Sequence, residues 1–486
     1  MPRRERTHCH VAGVPGALLA ALMAFAATAG AAPQTSLPAT VNRVLVQKKL
    51  PEASVSAFVQ RVGAPEPLLA FNADIARNPA SVVKLVTTFA ALQALGPAYQ
   101  WRTEVFADGR LEAGTLQGDL LLKGYGDPYL VTERLWLLQR ELRNRGLRSI
   151  EGDLVIDNTW FAREELDPGA FDGQTYRAYN ALPDALLVNY QAVNFLFRPD
   201  ARRGRVEILA DPVLANLEVR NNMRLVRGGC GAAKSGISMV VGATETRPRV
   251  TFSGALASNC AEYQLLRSIL DGPSFAYGAF RGLWEEQGGS LTGGARQGQV
   301  PPGKQPFLTF RSPPLAEVIR SVNKFSNNVM TRQIFLTLGA EQFGPPGTLD
   351  KAARATAEAL ASRGLRFPEL QMGNGAGLAR STRISAASMG KLLLAAHASP
   401  FQPEFQASLS IAGLDGTTRK RFGRDPLAGD MHLKTGTLNG VSSIAGFVHG
   451  ADGADYAVVM IVNDPKATWG GGQEAQNALL RWVHQR

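Results

Sequence analysis

The alternation of apolar and polar positions divides the chain into three parts. Strand-like alternation in "ASVSAFVQRV" and a long apolar helix in "NPASVVKLVTTFAALQALG" characterise the first part. From residue 101 to about 300, short apolar runs bounded by glycine, aspartate and asparagine predict mainly strands. Helical periodicity then returns in "LAEVIRSVNKFSNNVMTRQIFLTLG", "TLDKAARATAEALASRG" and "SAASMGKLLLAAHAS". Two adjacent strand patterns and a last helix end the chain.

This order predicts one α/β domain that is interrupted by an insertion. The Gly- and Pro-rich stretch near residues 288–306 indicates the second boundary. We therefore expect a discontinuous domain of residues 32–100 and 301–486, and an inserted strand-rich region of residues 101–300. Insertion of this kind is physically easy because domain termini often lie close together.

The first 31 residues have the pattern of an export signal. Arg3, Arg4 and Arg6 precede an apolar run that ends in an A-x-A cleavage site at residues 29–31. An uncleaved membrane anchor is the alternative. No later stretch approaches ~18 unbroken apolar residues, so we expect no integral membrane segment after signal removal and a soluble periplasmic protein.

Charge and cysteine content indicate which partners the chain can have and whether it contains a disulfide. The net charge of +11 is scattered along the chain without a nucleic-acid motif, so we predict no nucleic-acid partner. Cys9 lies in the signal, which leaves Cys230 and Cys260 as an even pair. In an oxidising compartment this pair predicts a disulfide, with two buried free thiols as the alternative.

The apolar helix of the first part carries a lysine near its start. Lys84 follows Ser81 by three residues, which places the two side chains on one helix face. Burial disfavours the ammonium form, and a neutral amine beside a serine can accept the hydroxyl proton and create a nucleophile. The alternative is a lysine that extends its charge to solvent.

A second short pattern occurs in "NKFSNNVM". Ser326 and Asn328 place a hydroxyl and a carboxamide two residues apart. This pair suits proton relay and the docking of a peptide amide.

A third pattern lies on a predicted strand in "HLKTGTLNG". Lys434 supplies a cation, Thr435 and Thr437 supply hydroxyls, and Gly436 leaves room beside the strand. These features suit a substrate carboxylate lying along a strand edge.

Other catalytic motifs fit less well. The four histidines beyond the signal lack metal spacing such as H-E-x-x-H, and no G-x-S-x-G pattern occurs. The near P-loop "GQVPPGK" has prolines where backbone amides should cradle phosphate. We therefore predict no metal and no other cofactor.

The motifs S-x-x-K, S-x-N and K-T-G, in this order, resemble those of class C low-molecular-mass penicillin-binding proteins, the D-alanyl-D-alanine carboxypeptidase/endopeptidase family. "GYGDPYL", "GDLVIDNTWF" and "GNGAGLARSTRIS" extend the resemblance over nearly the whole mature chain. It implies a penicillin-recognising serine transpeptidase/β-lactamase-like domain of α/β (α+β) class with a strand-rich two-domain insertion. The 245 residues from Ser81 to Ser326 match that insertion, since the gap is far shorter in β-lactamases.

Two positions depart from the family pattern. Asn327 stands where the second motif commonly has aspartate, and the stretch from Asn374 to Arg380 reads NGAGLAR rather than DGSGLSR. Neither position carries a catalytic role in the resemblance.

The resemblance implies a role for each matching residue. Ser81 is the nucleophile that forms an acyl-enzyme, and Lys84 is its base. Ser326 relays a proton to the leaving amine, with Lys434 tuning the electrostatics. The backbone N–H groups of Ser81 and Thr437 form the oxyanion hole.

It also implies how the substrate is held. Asn328 binds the amide on the acyl side, and Thr435 and Thr437 bind the terminal carboxylate. Asp172, in "AFDGQTY", is the candidate for contact with the diaminopimelate side chain; an aspartate that only stabilises its loop is the alternative. The implied partners are peptidoglycan stem peptides and, as covalent inhibitors, β-lactam antibiotics.

Three other functions remain open at this point. A β-lactamase or esterase could use the same motifs, although the long insertion disfavours it. A non-catalytic peptidoglycan-binding protein would be expected to have lost part of the site. A structural scaffold predicts no ligand at all.

Overall fold

A computed structural model describes residues 33–163, 166–228, 230, 236–423 and 425–486. The predicted signal lies outside the described residues. Among those described, no helix has the length and apolar character that a membrane crossing requires.

The strands alternate with helices in the outer parts of the chain and follow one another closely in the middle. In chain order they are β1 (Val55–Arg61), β2 (Leu69–Phe71), β3 (Arg102–Glu112), β4 (Thr115–Gly124), β5 (Ser149–Ile150), β6 (Leu154–Asp157), β7 (Val193–Asp200), β8 (Arg205–Asp211), β9 (Glu218–Val226), β10 (Ser238–Ala243), β11 (Pro248–Ala257), β12 (Tyr263–Arg267), β13 (Ser290–Leu291), β14 (Ala295–Gln297), β15 (Leu308–Arg311), β16 (Ser410–Ile411), β17 (Met431–Leu438), β18 (Val441–His449) and β19 (Asp455–Asn463). The α-helices are α1 (Ala39–Lys48), α2 (Lys84–Leu95), α3 (Thr132–Asn144), α4 (Gly272–Glu286), α5 (Leu315–Phe325), α6 (Asn328–Phe343), α7 (Leu349–Ala361), α8 (Ala386–His397), α9 (Gln402–Ala407) and α10 (Gly471–His484).

The two ends of the described chain meet in one antiparallel sheet of order β16-β17-β18-β19-β1-β2. Strand β19 is buried on both faces, which explains its unbroken apolar run "YAVVMIV". Ala457, Val459 and Ile461 face a core shared with α2 and α5 to α8. Val458 and Met460, on the opposite face, pack with α1 and α10. The result is a three-layer helix–sheet–helix arrangement.

The middle of the chain is rich in strands, in agreement with the sequence pattern. It contains sheets of order β10-β11-β9 and β12-β7-β8, and a seven-stranded sheet built on the path β13-β5-β4-β3-β15. Their inner faces share a core with α3 and α4. Cys230 and Cys260 form the predicted disulfide, with their Cα atoms 5.1 Å apart.

Two features of this region differ from the sequence pattern. Helix α4 contains Gly278 and Gly282, which lower helix propensity. A Cβ at Gly278 would lie 2.0 Å from Asn216 Oδ1, so the Asn216 side chain would have to move. Strand β15 lies beyond residue 300 and yet pairs with β3. The domain boundaries stay a prediction, since residues 33–486 form one compact unit.

Candidate active site

Ser81 and Lys84 lie at the start of the helix that the sequence predicted. The first turn, Ala80–Val83, is a 3₁₀-helix, and α2 begins at Lys84. The N–H of Ala80 donates to Asn78 Oδ1 at 2.8 Å, so Asn78 holds the entry to this turn. Ala80 has φ of 46°, a sparsely populated conformation for a non-glycine residue, directly before Ser81.

The amine of Lys84 is fully buried, which excludes the alternative of a lysine that reaches solvent. Its Nζ lies 2.9 Å from Ser81 Oγ, 2.6 Å from Asn328 Oδ1 and within hydrogen-bond distance of the carbonyl of Ala376. Burial lowers the pKa of Lys84 well below its usual value, and the charges of Lys434 and Arg332 lower it further. Both effects favour the neutral form of the amine, which lies beside the Ser81 hydroxyl.

Ser326 occupies a break between two helices that the sequence pattern predicted as one continuous run. It ends α5 in the left-handed conformation, with φ of 57°. Lys434 Nζ donates to Ser326 Oγ at 2.8 Å and to the carbonyl of Thr435 at 2.7 Å. Burial lowers the pKa of Lys434 to about 7.

The residue that departs from the family pattern has a structural role. Asn327 is the N-cap of α6, and its Oδ1 accepts from the N–H of Met330 at 3.1 Å. Asparagine and aspartate cap helices about equally well, so either residue supports the same geometry. Asn328, the first residue of α6, directs its side chain to Lys84.

Strand β17 passes directly over the turn that carries Ser81. A Cβ added at Gly436 would lie 2.6 Å from the carbonyl oxygen of Pro79 and 3.0 Å from the backbone nitrogen of Ser81, and it would collide with Ser443 Oγ. Ser443 Oγ also donates to the Pro79 carbonyl at 2.6 Å, which ties the turn to β18. Glycine is required here because the two backbones approach so closely.

The remaining residues of the third motif lie along the same strand. Thr435 Oγ1 donates to Thr417 Oγ1 at 2.9 Å, which orients the Thr435 side chain. Thr437 is exposed at the open edge, two residues further along β17.

A loop with two glycines of positive φ packs against the turn that carries Ser81. Gly375 and Gly377 have φ of 71° and 83°, and a Cβ at Gly377 would collide with the carbonyl of Ala80. This geometry brings the Ala376 carbonyl to Lys84 Nζ. The loop belongs to a stretch that contributes to the family resemblance, but its sequence alone did not indicate this role.

Asp172 is not in contact with the three motifs. Its carboxylate accepts from the N–H of Gln174 at 3.0 Å, from Asn180 Nδ2 at 2.8 Å and from the Tyr179 hydroxyl at 2.7 Å. These hydrogen bonds lower the pKa of Asp172, although burial opposes them. Asp172 is therefore ionised, exposed and held in one orientation by its own loop.

This loop nevertheless reaches the end of β17. The guanidinium of Arg380 lies over the ring of Phe171, 5.0 Å from its centroid, and donates to the carbonyl of Asn439 at 3.0 Å. Asn439 follows β17 directly, so the neighbour of Asp172 lies at the rim of the site. Sequence reasoning also missed Arg332, a buried cation on α6.

No metal centre accompanies these residues in the part of the chain that the structure describes. There, no three His, Cys, Asp or Glu side chains lie close enough together to hold an ion.

The fold and the arrangement of the three motifs define a penicillin-binding serine hydrolase. The structure is similar to that of penicillin-binding protein 4 (dacB) from Haemophilus influenzae, with a TM-score of 0.76 and 23% identity over 92% of this chain and 99% of that one. It is also similar to a penicillin G-acylated predatory endopeptidase from Bdellovibrio bacteriovorus, with a TM-score of 0.51 and 17% identity over 89% and 93% of the two chains.

The sequence comparisons identify the family. The chain belongs to the D-Ala-D-Ala carboxypeptidase 3 (S13) family, whose model matches residues 37–486. It is 30% identical over 457 residues to a D-alanyl-D-alanine carboxypeptidase from Actinomadura sp. (strain R39), covering 90% of this chain and 83% of the relative. The protein is thus a low-molecular-mass penicillin-binding protein and a serine-type D-Ala-D-Ala carboxypeptidase, a hydrolase.

Proposed function

We propose that the protein cleaves both D-Ala-D-Ala ends and D-Ala–diaminopimelate cross-links of peptidoglycan through an acyl-enzyme on Ser81. The observation that carries this proposal is the environment of the Lys84 amine. Asn328 Oδ1 and the Ala376 carbonyl can each accept one hydrogen of a neutral amine. The lone pair of Nζ is then left facing Ser81 Oγ, ready to accept its proton.

Acylation follows from this geometry. Ser81 Oγ forms a bond to the carbonyl carbon of the penultimate D-alanine, and its proton passes to Lys84 Nζ. The oxyanion accepts hydrogen bonds from the N–H groups of Ser81 and Thr437, whose strand lies against the Ser81 turn at Gly436. Electrostatic stabilisation of this kind is worth about 10²–10³ in rate for each donor.

Departure of the amine completes the first half of the reaction. The peptide C–N bond breaks, and the proton that Lys84 accepted passes to the leaving nitrogen through Ser326 Oγ, which Lys434 holds at 2.8 Å. Water then hydrolyses the ester and regenerates Ser81. The same steps release terminal D-alanine in the carboxypeptidase reaction and the diaminopimelate amine in the endopeptidase reaction.

Substrate orientation uses the open edge of β17. We propose that Thr435 and Thr437 bind the terminal carboxylate beside the Lys434 cation, and that Asn328 binds the amide on the acyl side. The Bdellovibrio neighbour, an endopeptidase that is acylated by penicillin G, supports the endopeptidase reaction and covalent β-lactam binding. We place the protein in the periplasm on the pattern of its first 31 residues.

Labelling with a fluorescent penicillin tests the proposal. We expect a stable covalent label on the wild-type protein and none on the Ser81→Ala variant, because the label requires the Ser81 ester. Rapid loss of free penicillin without a stable label would indicate a β-lactamase instead. Neither label nor hydrolysis in the wild-type protein would leave a non-catalytic peptidoglycan-binding protein.

The Asp172→Asn variant tests diaminopimelate recognition. The ionised carboxylate has about four lone-pair sites, of which three are used within the loop, so one remains for a substrate ammonium. We expect a raised KM for peptides that contain diaminopimelate and an unchanged KM for D-Ala-D-Ala peptides that lack this side chain. Equal changes in both KM values would mean that Asp172 only stabilises its loop.

A further inference from the structure

Arg332 is a buried cation, and its hydrogen bond within the part of the chain that the structure describes goes to a carbonyl rather than to a carboxylate. Only 8% of its surface is exposed. Its Nη2 donates to the carbonyl of Tyr179 at 2.8 Å, and its buried Nε has no hydrogen-bond partner among the described residues. Burying a charge in this way costs desolvation free energy, so packing alone does not account for an arginine at this position.

The place of Arg332 in the fold provides an explanation. It follows Asn328 by four residues on α6, so both side chains project from the same helix face. Asn328 Oδ1 is a partner of Lys84 Nζ, and Arg332 acts on the charge of Lys84. Arg332 therefore lies one helical turn from the residue whose amide holds the Lys84 amine.

The other groups near Lys84 come from β17, from α6, from the turn that carries Ser81 and from the loop of Ala376. Lys434 on β17 is the second cation that acts on it. Ser81 Oγ, Asn328 Oδ1 and the Ala376 carbonyl are neutral. The contacts of Lys84 thus offer no negative charge to favour an ammonium.

The hydrogen-bond partner of Arg332 comes from the inserted region. Tyr179 binds Arg332 through its backbone carbonyl and binds Asp172 through its hydroxyl, and Arg177 and Arg267 act on Tyr179. The described contacts of Arg332 therefore leave its positive charge unneutralised. They also join the loop that contains Asp172 and Tyr179, the inserted loop, to the helix that carries Asn328.

We infer that Arg332 is a positioning residue for acylation: its buried guanidinium, anchored to the inserted loop through Tyr179, holds a positive charge one helical turn from Asn328, whose amide contacts Lys84. This inference rests on the proposed function, in which Lys84 accepts the Ser81 proton. Arg332 touches neither substrate nor Ser81. It acts on the protonation state of the base, and it makes that state depend on the placement of the inserted loop.

The pH dependence of acylation tests this inference. Removing the charge in Arg332→Gln makes protonation of Lys84 easier. The acidic limb of the pH–rate profile, in which the acylation rate falls as the pH decreases, should therefore move to higher pH. Each unit of this shift lowers the rate on the limb about tenfold. Glutamine retains a donor for the Tyr179 carbonyl, and Arg332→Lys retains the charge, so the lysine variant should keep the wild-type limb.

Two further variants separate the charge of Arg332 from its packing. Arg332→Met is a second neutral variant, because replacing a buried charge by an apolar side chain is often tolerated; it should shift the limb as Arg332→Gln does. Arg421→Gln is the matched control, since Arg421 is equally buried and binds Asn477 instead. The acidic limb of the Arg421→Gln pH–rate profile should coincide with that of the wild type.

Three results would overturn the inference: no shift relative to the wild type in either one of the two neutral variants, a shift in Arg332→Lys as large as in Arg332→Gln, or the same shift in Arg421→Gln. Rates are measured with a chromogenic cephalosporin on proteins whose thermal melting shows them to be folded. A wild-type protein that is not acylated at any pH would contradict the proposed function instead, so the two failures are distinguishable.

Discussion

The Lys84→Met variant should fold and yet lose acylation by a factor on the order of 10²–10⁴, the usual contribution of a positioned general base. Ser81 remains in place, but nothing beside it can take its proton. Folding should survive because methionine fills similar volume and removes the cost of burying an amine. Two acceptors, Asn328 Oδ1 and the Ala376 carbonyl, lose a donor, which costs about 1–3 kcal/mol for each group left unsatisfied.

The measurement is the second-order rate constant of penicillin acylation, taken beside the melting temperature. Lys351→Met is the control, because Lys351 is a lysine of α7 that binds the carbonyls of Gly344 and Pro346. It should be acylated at the wild-type rate. Near-wild-type acylation of Lys84→Met would show that another group accepts the Ser81 proton.

The Gly436→Ala variant should lose acylation by about 10²–10³, the effect of losing an oxyanion-hole donor. The added methyl group meets the Pro79 carbonyl and the Ser81 nitrogen, both of which are backbone atoms. Strand β17 must therefore move away from the turn, and the N–H of Thr437 moves with it. Ser443 cannot rotate freely to relieve the third clash, since its Oγ is bound to Pro79.

A glycine in open space provides the matched control. Gly242 also lies in a strand, and no atom is within 4 Å of a Cβ added there, so Gly242→Ala should be acylated normally. Gly436→Ala combined with Ser443→Ala should recover only part of the rate, because the backbone clashes remain. A single Gly436→Ala variant with wild-type kinetics would exclude the close approach as the basis of the oxyanion hole.

The part of the site that depends on local spacing could be predicted from the sequence. Ser81 and Lys84 are three residues apart, and both a 3₁₀ turn and an α-helix place such residues on nearly the same face. The pairing of Ser326 with Lys434 joins different elements, and it was predicted because the family motifs occur in order. Periodicity alone would have continued the helix through Ser326.

Other parts of the site carry no local signal. Ala376 contributes a backbone carbonyl, which any residue would supply, and its position depends on the conformations of Gly375 and Gly377. Arg332 stands among "NVMTRQIF", where a lone arginine is typical of a solvated helix face. Its burial depends on tertiary packing, to which the inserted loop contributes the Tyr179 carbonyl. Long-range contacts of this kind are decided by tertiary structure.

The pairing of β1 with β19 makes completion of the site a late step in folding. Ser81 precedes Lys434 by 353 residues, counted as 434 − 81. Strand β1 lies between β2 and β19, so the sheet that carries Lys434 closes only when these two distant segments have met. The region between Ser81 and Lys434 has its own apolar core and can collapse earlier, because its contacts are closer in sequence. A partly folded chain therefore carries Ser81 without the rest of the site, and capture of penicillin reports that β1 and β19 have paired.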